Sequence, residues 1–360
     1  MAARLDGWLR ALKEHGGSDL HLAAGSPPRI RAKGELQAIA GEAPLADAEI
    51  RDALREATSE EQWREYESGG DLDFAYGLAG VARFRANYLV QHAGASAVFR
   101  MVPEEIRTAE QLGLPPAISQ LAELSKGLVL VTGPTGSGKS TTLAAIIDAI
   151  NANHSKHIVT IEDPVEFVHT NKRSIVSHRE VGQHTGSFAE AVRGAIRQDA
   201  DVVLVGEMRD RETMQMAITA AEMGLLVFGT LHTNGAARSI DRIIDAFPTA
   251  DQNQIRLSLS ESLSGVVAQL LLPAATGKGR CAVYEILLRT QGLPNVIREG
   301  NSALLASIIQ SGKAQGMQSM DDALFAAVKE GKVKAADAHG KATDKSRFEP
   351  LLSAEDKSAA

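Results

Sequence analysis

The sequence predicts an α/β protein: a parallel sheet with helical crossovers, preceded by a smaller α+β domain. Three observations predict it. From about residue 108 onward, short apolar runs at 127–132, 157–161, 201–205 and 225–230 alternate with helical segments, the pattern of strands buried on both faces. The first of these runs leads directly into a glycine-rich loop and a helix. Before residue 102 the texture differs, with short strand-like runs that alternate polar and apolar residues between turn signals.

In chain order, Asp19-Leu20-His21-Leu22 alternates and is followed by the turn residues Gly25-Ser26-Pro27-Pro28. Further strands are expected at 29–32 and 36–39. Residues 45–66 are charged and helix-favouring, with apolar Leu45, Ile50 and Leu54. Three strands follow at 71–76, 81–90 and 95–101, separated by Gly77, Gly80 and Gly94. The expected organisation is therefore a first domain over 1–101, a linker over 102–107 and a second domain over 108–347. A helix is expected over 317–333, and 348–360 reads as a disordered tail.

With 360 residues the chain is long enough for two or three domains, and 44 % apolar against 23 % charged residues is a globular composition. A net charge of −7 gives no bulk argument for binding nucleic acid, and none is expected as a partner. Cys281 is the only cysteine, which excludes an intramolecular disulfide and a four-cysteine zinc site. Residues 1–12 mix charged with apolar side chains, and no apolar run is long enough to cross a bilayer. A cytoplasmic protein is expected, reaching a membrane only by docking.

Gly133-Pro134-Thr135-Gly136-Ser137-Gly138-Lys139-Ser140 matches G-x-x-x-x-G-K-[ST], with Thr141 next. Backbone N–H groups can surround a triphosphate only where side chains do not intrude, and glycines permit that path. The helix that begins near Lys139 turns its positive end toward the phosphates. Lys139 is expected on the β- and γ-phosphates and Ser140 on Mg²⁺. Asn171-Lys172-Arg173-Ser174 lacks the fourth-position Asp that reads guanine, so ATP is the expected nucleotide.

The run 201–205 ends in Gly206-Glu207, where P-loop enzymes usually carry an Asp that helps to hold Mg²⁺. Glu207 is the candidate to orient or deprotonate the attacking water. A surface salt bridge to Arg209 or Arg211 is the plainer alternative.

Three further segments carry a resemblance. Val159-Thr160-Ile161-Glu162-Asp163-Pro164-Val165-Glu166 is similar to the Asp box of the secretion-superfamily (GspE–PilT) ATPases. Val203 to Asp210 resembles their Walker B segment, and Gly229-Thr230-Leu231-His232-Thr233-Asn234 their His box, in matching order. Within that family the likeness is to the type IV pilus retraction ATPases, through Ser18 to Leu22, Ala82 to Asn87, Arg179 to Gly182 and Gly316 to Asp321. Assembly and type II secretion members usually add a four-cysteine zinc insertion. Three departures stand out: Leu225 where the family has a His, His184 where it has an Asp, and Gln291 to Pro294 in a segment tied to retraction.

The resemblance implies a RecA-like ATPase domain behind a PAS-like N-terminal domain, assembled as a homohexamer. It implies ATP and Mg²⁺ as cofactors, docking on an inner-membrane platform protein of the pilus machine, and partnership with a paralogous ATPase. Glu162 and Glu166 would organise water and Mg²⁺, and His232 would sense the γ-phosphate. Arg83 and Arg85, two apart on a predicted strand and so on one face, with Arg100 on the next strand, would neutralise phosphate charge in a neighbouring subunit. The implied function is a hydrolytic motor for pilus retraction and twitching motility. The alternatives are an accessory or regulatory paralogue, or a related secretion or DNA-transfer ATPase.

Overall fold

A computed structural model describes residues 4–32, 34–102 and 105–352. The chain divides into two compact units, Met1–Glu105 with Pro164–Val168, and Ile106–Asp163 with His169–Ala360. Pro103 and Glu104, at the centre of the expected linker, lie outside the described residues, and Val102 closes a strand.

The first unit is a six-stranded antiparallel sheet: β1 (Asp19–Ala23), β2 (Arg29–Ala32), β3 (Glu35–Ala38), β4 (Asp71–Leu78), β5 (Ala82–Gln91) and β6 (Gly94–Val102), in the order β3-β2-β1-β6-β5-β4. Period-2 alternation sends Leu20, Leu22, Ile30, Phe84, Tyr88, Ala97 and Phe99 into the core. Helices Arg4–Glu14, Asp47–Arg55 and Glu60–Gly69 contribute Leu9, Leu54, Trp63 and Tyr66 to that core. The register pairs Asp19 with both Arg31 and Arg100, His21 with Arg29, and Arg85 with Arg100. Residues paired across strands share a face, so the opposite side of the sheet is basic.

The helix-favouring stretch 45–66 holds two helices, because Ser59 accepts from the Gln62 amide while the Gln62 side chain returns to the Ser59 N–H, and this capping box starts a second helix. The helix Arg4–Glu14 went unread, although Leu5, Trp8, Leu9 and Leu12 mark one helical face.

The second unit holds a seven-stranded sheet: β7 (Gly127–Thr132), β8 (His157–Glu162), β9 (Ile175–Glu180), β10 (Val202–Val205), β11 (Leu226–Leu231), β12 (Leu263–Pro273) and β13 (Arg280–Leu288). The order is β13-β12-β7-β11-β10-β8-β9, parallel throughout except for the antiparallel β12–β13 pair. Strand β7 shows why its run is continuously apolar. Leu128 and Leu130 enter one core with helices Phe188–Arg197, Arg211–Glu222 and Ala236–Asp245, while Val129 and Val131 enter another with helix Lys139–Asn153.

The tail is also corrected in part. Phe348 is fully buried, edge-on to Phe325 at 5.9 Å, in a cluster with Leu272, Val283 and Leu324, and a short 3₁₀ turn Glu349–Leu351 follows it. One large aromatic side chain therefore anchors a stretch whose composition reads as disordered. Residues 353–360 lie outside the described residues. The expected helix over 317–333 runs from Met320 to Lys329, started by the Ser319 cap.

Candidate nucleotide site

The phosphate loop joins β7 to helix Lys139–Asn153. Gly133 (φ 143°), Gly136 (φ 77°) and Gly138 (φ 89°) take positive φ, which side-chain-bearing residues rarely adopt. Space restricts two of them as well. A Cβ on Gly133 would lie 2.2 Å from the Gln269 carbonyl oxygen, and one on Gly138 would lie 2.9 Å from Gln269 Nε2. A Cβ on Gly136 meets nothing within 4 Å, so its requirement is conformational alone. Gly138 caps the helix, and Lys139, Ser140 and Thr141 form the first turn. Lys139 Nζ donates to the carbonyls of Gly133 (2.9 Å) and Pro134 (3.2 Å). Ser137 is buried and, among the described residues, its hydroxyl has no hydrogen-bond partner, while its carbonyl is engaged.

Beside the loop, Val205 at the end of β10 lies in register with Ile161 of β8 and Gly229 of β11, which brings the residues at these strand ends into one neighbourhood. Glu207 follows β10 and His232 follows β11. His232 Nε2 lies 2.7 Å from Glu207 Oε1, and His232 Nδ1 lies 3.5 Å from the Thr135 hydroxyl of the loop. Arg209 Nε also reaches Glu207 Oε1, at 2.5 Å. The salt bridge weighed as the plainer reading of Glu207 is thus present, but on a carboxylate that also meets the His-box imidazole. Burial pushes the Glu207 carboxyl up, and the Arg209 and His232 contacts outweigh it, leaving the group below the ordinary glutamate range. Arg211 opens the next helix, whose cap is Asp210.

Glu162 ends β8 and is buried. A Cβ at Gly206 would come within 3.1 Å of the Ile161 carbonyl oxygen and 3.2 Å of Glu162 Cγ. The missing Asp before Glu207 has a steric counterpart: the Glu162 side chain runs through that space. Glu166 belongs to the segment that clusters with the first unit, so the structure does not group it with Glu162. Arg83, Arg85 and Arg100 all lie in the first unit. Arg85 stands opposite Arg100 in register and 3.8 Å from Asp73, and Arg100 Nε donates to Asp19 at 2.8 Å. Arg193 pairs with Glu212 at 3.1 Å, and Arg197 closes its helix.

Sequence reasoning passed over a set of buried polar groups around the loop. Gln269 on β12 spans Ser137 and Thr142. Thr132, the last residue of β7, receives a hydrogen bond from Ser239 (3.3 Å), which contacts Thr233 (2.7 Å) beside His232. A polar residue interrupting an apolar strand is the only signal that marks Gln269.

The departures are accommodated locally. Leu225 packs against the core, and its carbonyl accepts from the Gly127 N–H. His184 Nδ1 accepts from the Glu180 amide at 3.0 Å, which requires that nitrogen to be unprotonated. Residues 291–294 lead into helix Leu293–Glu299, where Pro294 occupies the first turn and needs no donor.

Residues 68–339 match the model of the "Type II/IV secretion system protein" family. The chain is 46 % identical over 329 residues to the type IV pilus retraction ATPase PilT of Pseudomonas aeruginosa, covering 91 % of this chain and 95 % of that one. It is 39 % identical over 330 residues to the type IV pilus ATPase PilU of the same organism, covering 92 % and 86 %. A crystal structure of the pilus retraction motor PilT with bound ADP superposes with a TM-score of 0.90 at 42 % identity, covering 98 % of this chain and all of that one.

Proposed function

Because the chain belongs to the type II/IV secretion system protein family, we propose that it is an ATP-hydrolysing motor that drives type IV pilus retraction. The observation that carries this reading is 46 % identity to a pilus retraction ATPase across nearly the whole of both chains. The likeness to a PilU-type ATPase is weaker, at 39 %.

ATP would lie with its phosphates on the amides of residues 133–138 and the first turn of helix Lys139–Asn153. Lys139, within reach of the loop, would turn from its carbonyls to the β- and γ-phosphates. The donor set fits Mg²⁺: Ser140 in the first turn and the carboxylates of Glu162 and Glu207 are hard oxygen ligands. Among the described residues no three His, Cys, Asp or Glu side chains are grouped to hold an ion unaided, so the phosphates would share it. Bound there, Mg²⁺ would neutralise charge on the phosphate oxygens. Glu207, ionised at neutral pH and fixed by Arg209 and His232, would orient the attacking water, and Glu162 would extend that acidic wall. His232, touching both Glu207 and Thr135, would report the state of the γ-phosphate to the sheet end.

Arg83, Arg85 and Arg100 would act on the nucleotide of a neighbouring copy in a homohexamer, with Asp19 fixing the direction of Arg100. The ring would dock on an inner-membrane platform protein. The test is deletion of the gene in its host, with complementation. Loss of twitching with pili retained supports retraction. Normal twitching with lost secretion or DNA transfer overturns it, and near-zero turnover of purified, ATP-binding rings points to an accessory subunit.

A further inference from the structure

We infer that Gln269 is a positioning residue for the phosphate loop, holding the Ser137–Gly138 peptide in the orientation that receives phosphate. The inference rests on reading residues 133–141 as the nucleotide site. It assigns a part of that site lying outside the loop and its motif.

Gln269 sits in β12 and is only 3 % exposed, between apolar neighbours on a strand paired with β7. A buried primary amide is costly unless its donors and acceptor are engaged. Here Nε2 donates to the Ser137 carbonyl at 2.7 Å, and Oε1 accepts from the Thr142 hydroxyl at 2.9 Å. A carbonyl can only accept, so the Ser137 contact fixes which end of the amide faces the loop. Tyr284, opposite Gln269 in register, is buried as well.

In a trans peptide the C=O and the next N–H point in opposite directions. Drawing the Ser137 carbonyl toward β12 therefore turns the Gly138 N–H away from β12, toward the open side of the loop. If the peptide flipped, a carbonyl oxygen would face the anion instead of an amide hydrogen. Gln269 also explains two glycines. Its backbone oxygen and its Nε2 occupy the positions that side chains at 133 and 138 would need. Strand β12, the loop and the first turns of helix Lys139–Asn153 are thereby joined at one side chain.

Removing this brace divides the unliganded loop between competent and flipped forms, and apparent affinity falls by the competent fraction. The experiment is calorimetric titration of the purified full chain with ADP and Mg²⁺, for wild type, Gln269→Met, Thr142→Val and the double variant. Gln269→Met is expected to weaken ADP binding about tenfold, with KM for ATP rising more than kcat falls. Thr142→Val is expected to act in the same direction, and the double variant to be no worse than Gln269→Met alone. A folded Gln269→Met protein with wild-type ADP affinity overturns the inference, as do effects that multiply in the double variant. If Gln269→Met does not fold, Thr142→Val decides: unchanged affinity overturns the brace. Wild type that fails to bind ADP would instead sink the nucleotide-site reading, and the brace with it.

Discussion

Replacing Glu207 with Gln is the sharpest test of the proposed water-orienting role, because two magnitudes separate. The substitution keeps the shape and removes the charge. The Glu207 side chain is 21 % exposed and makes two charge-assisted contacts, to Arg209 and His232. Charged hydrogen bonds contribute about 1.5–3 kcal/mol when buried, but here Arg209 is 76 % exposed and His232 46 %, so screening reduces the loss to about 1 kcal/mol in all. A shift of that size leaves the protein folded at 25 °C. Loss of a positioned catalytic carboxylate costs roughly 10²–10⁴ in rate, or about 3–5 kcal/mol of barrier. The expected outcome is a small fall in Tm, retained binding of ATP with Mg²⁺, and steady-state phosphate release reduced at least a hundredfold. The folded carboxyl lies below its ordinary value of 4.5, so its stabilising contribution is present above pH 4.5 and is lost as pH falls through the folded pKa. The Tm gap between wild type and variant should therefore close as pH is taken below 4.5. Turnover above half the wild-type rate would refute the assignment, and a gap that widens in acid would refute the electrostatic account.

Gly133→Ala should abolish nucleotide binding, because the new methyl would sit 2.2 Å from the Gln269 carbonyl oxygen at φ 143°; titration with ADP and Mg²⁺ checks it, and retained affinity contradicts the loop geometry. Burial, with His178 close by, holds the His169 imidazole at about 4, so the fold favours its neutral form. That stability is full above pH 6.5 and is lost between 6.5 and about 4, by roughly 3 kcal/mol; denaturant melts across that window should show a slope that His169→Phe removes. Phe348→Ala should destabilise the second unit by about 3–4 kcal/mol, and an unchanged melt would mean that residue 348 does not pack as described.

The parts of the fold legible in the sequence are those with local punctuation. Strand β7, the loop and helix Lys139–Asn153 announce themselves because an apolar run, positive-φ glycines and a helix start fall in immediate succession. Strand β12 was not read because helix Gln252–Ser262 passes straight into it at Leu263, with no Gly or Pro between them. Among the described residues strand β9 pairs only with β8, at the sheet edge, and its Ser-His-Arg-Glu half reads as polar loop. Glu162, Glu207 and His232 were legible as candidates from motif order, whereas Gln269 and the Thr132–Ser239–Thr233 hydroxyls were not. Their partners lie 127, 107 and 6 residues away, and a lone buried amide or hydroxyl carries no spacing rule.

The glycine before Glu207 bears on how such chains are engineered. Restoring aspartate at 206, as comparison with other nucleotide hydrolases would suggest, would drive a methylene against the backbone of β8 and set a second negative group beside Glu162. That change would crowd the pocket rather than complete it. An acid delivered from the adjacent strand makes the vacant position in the motif a matter of volume already filled, and reverting it should weaken this enzyme.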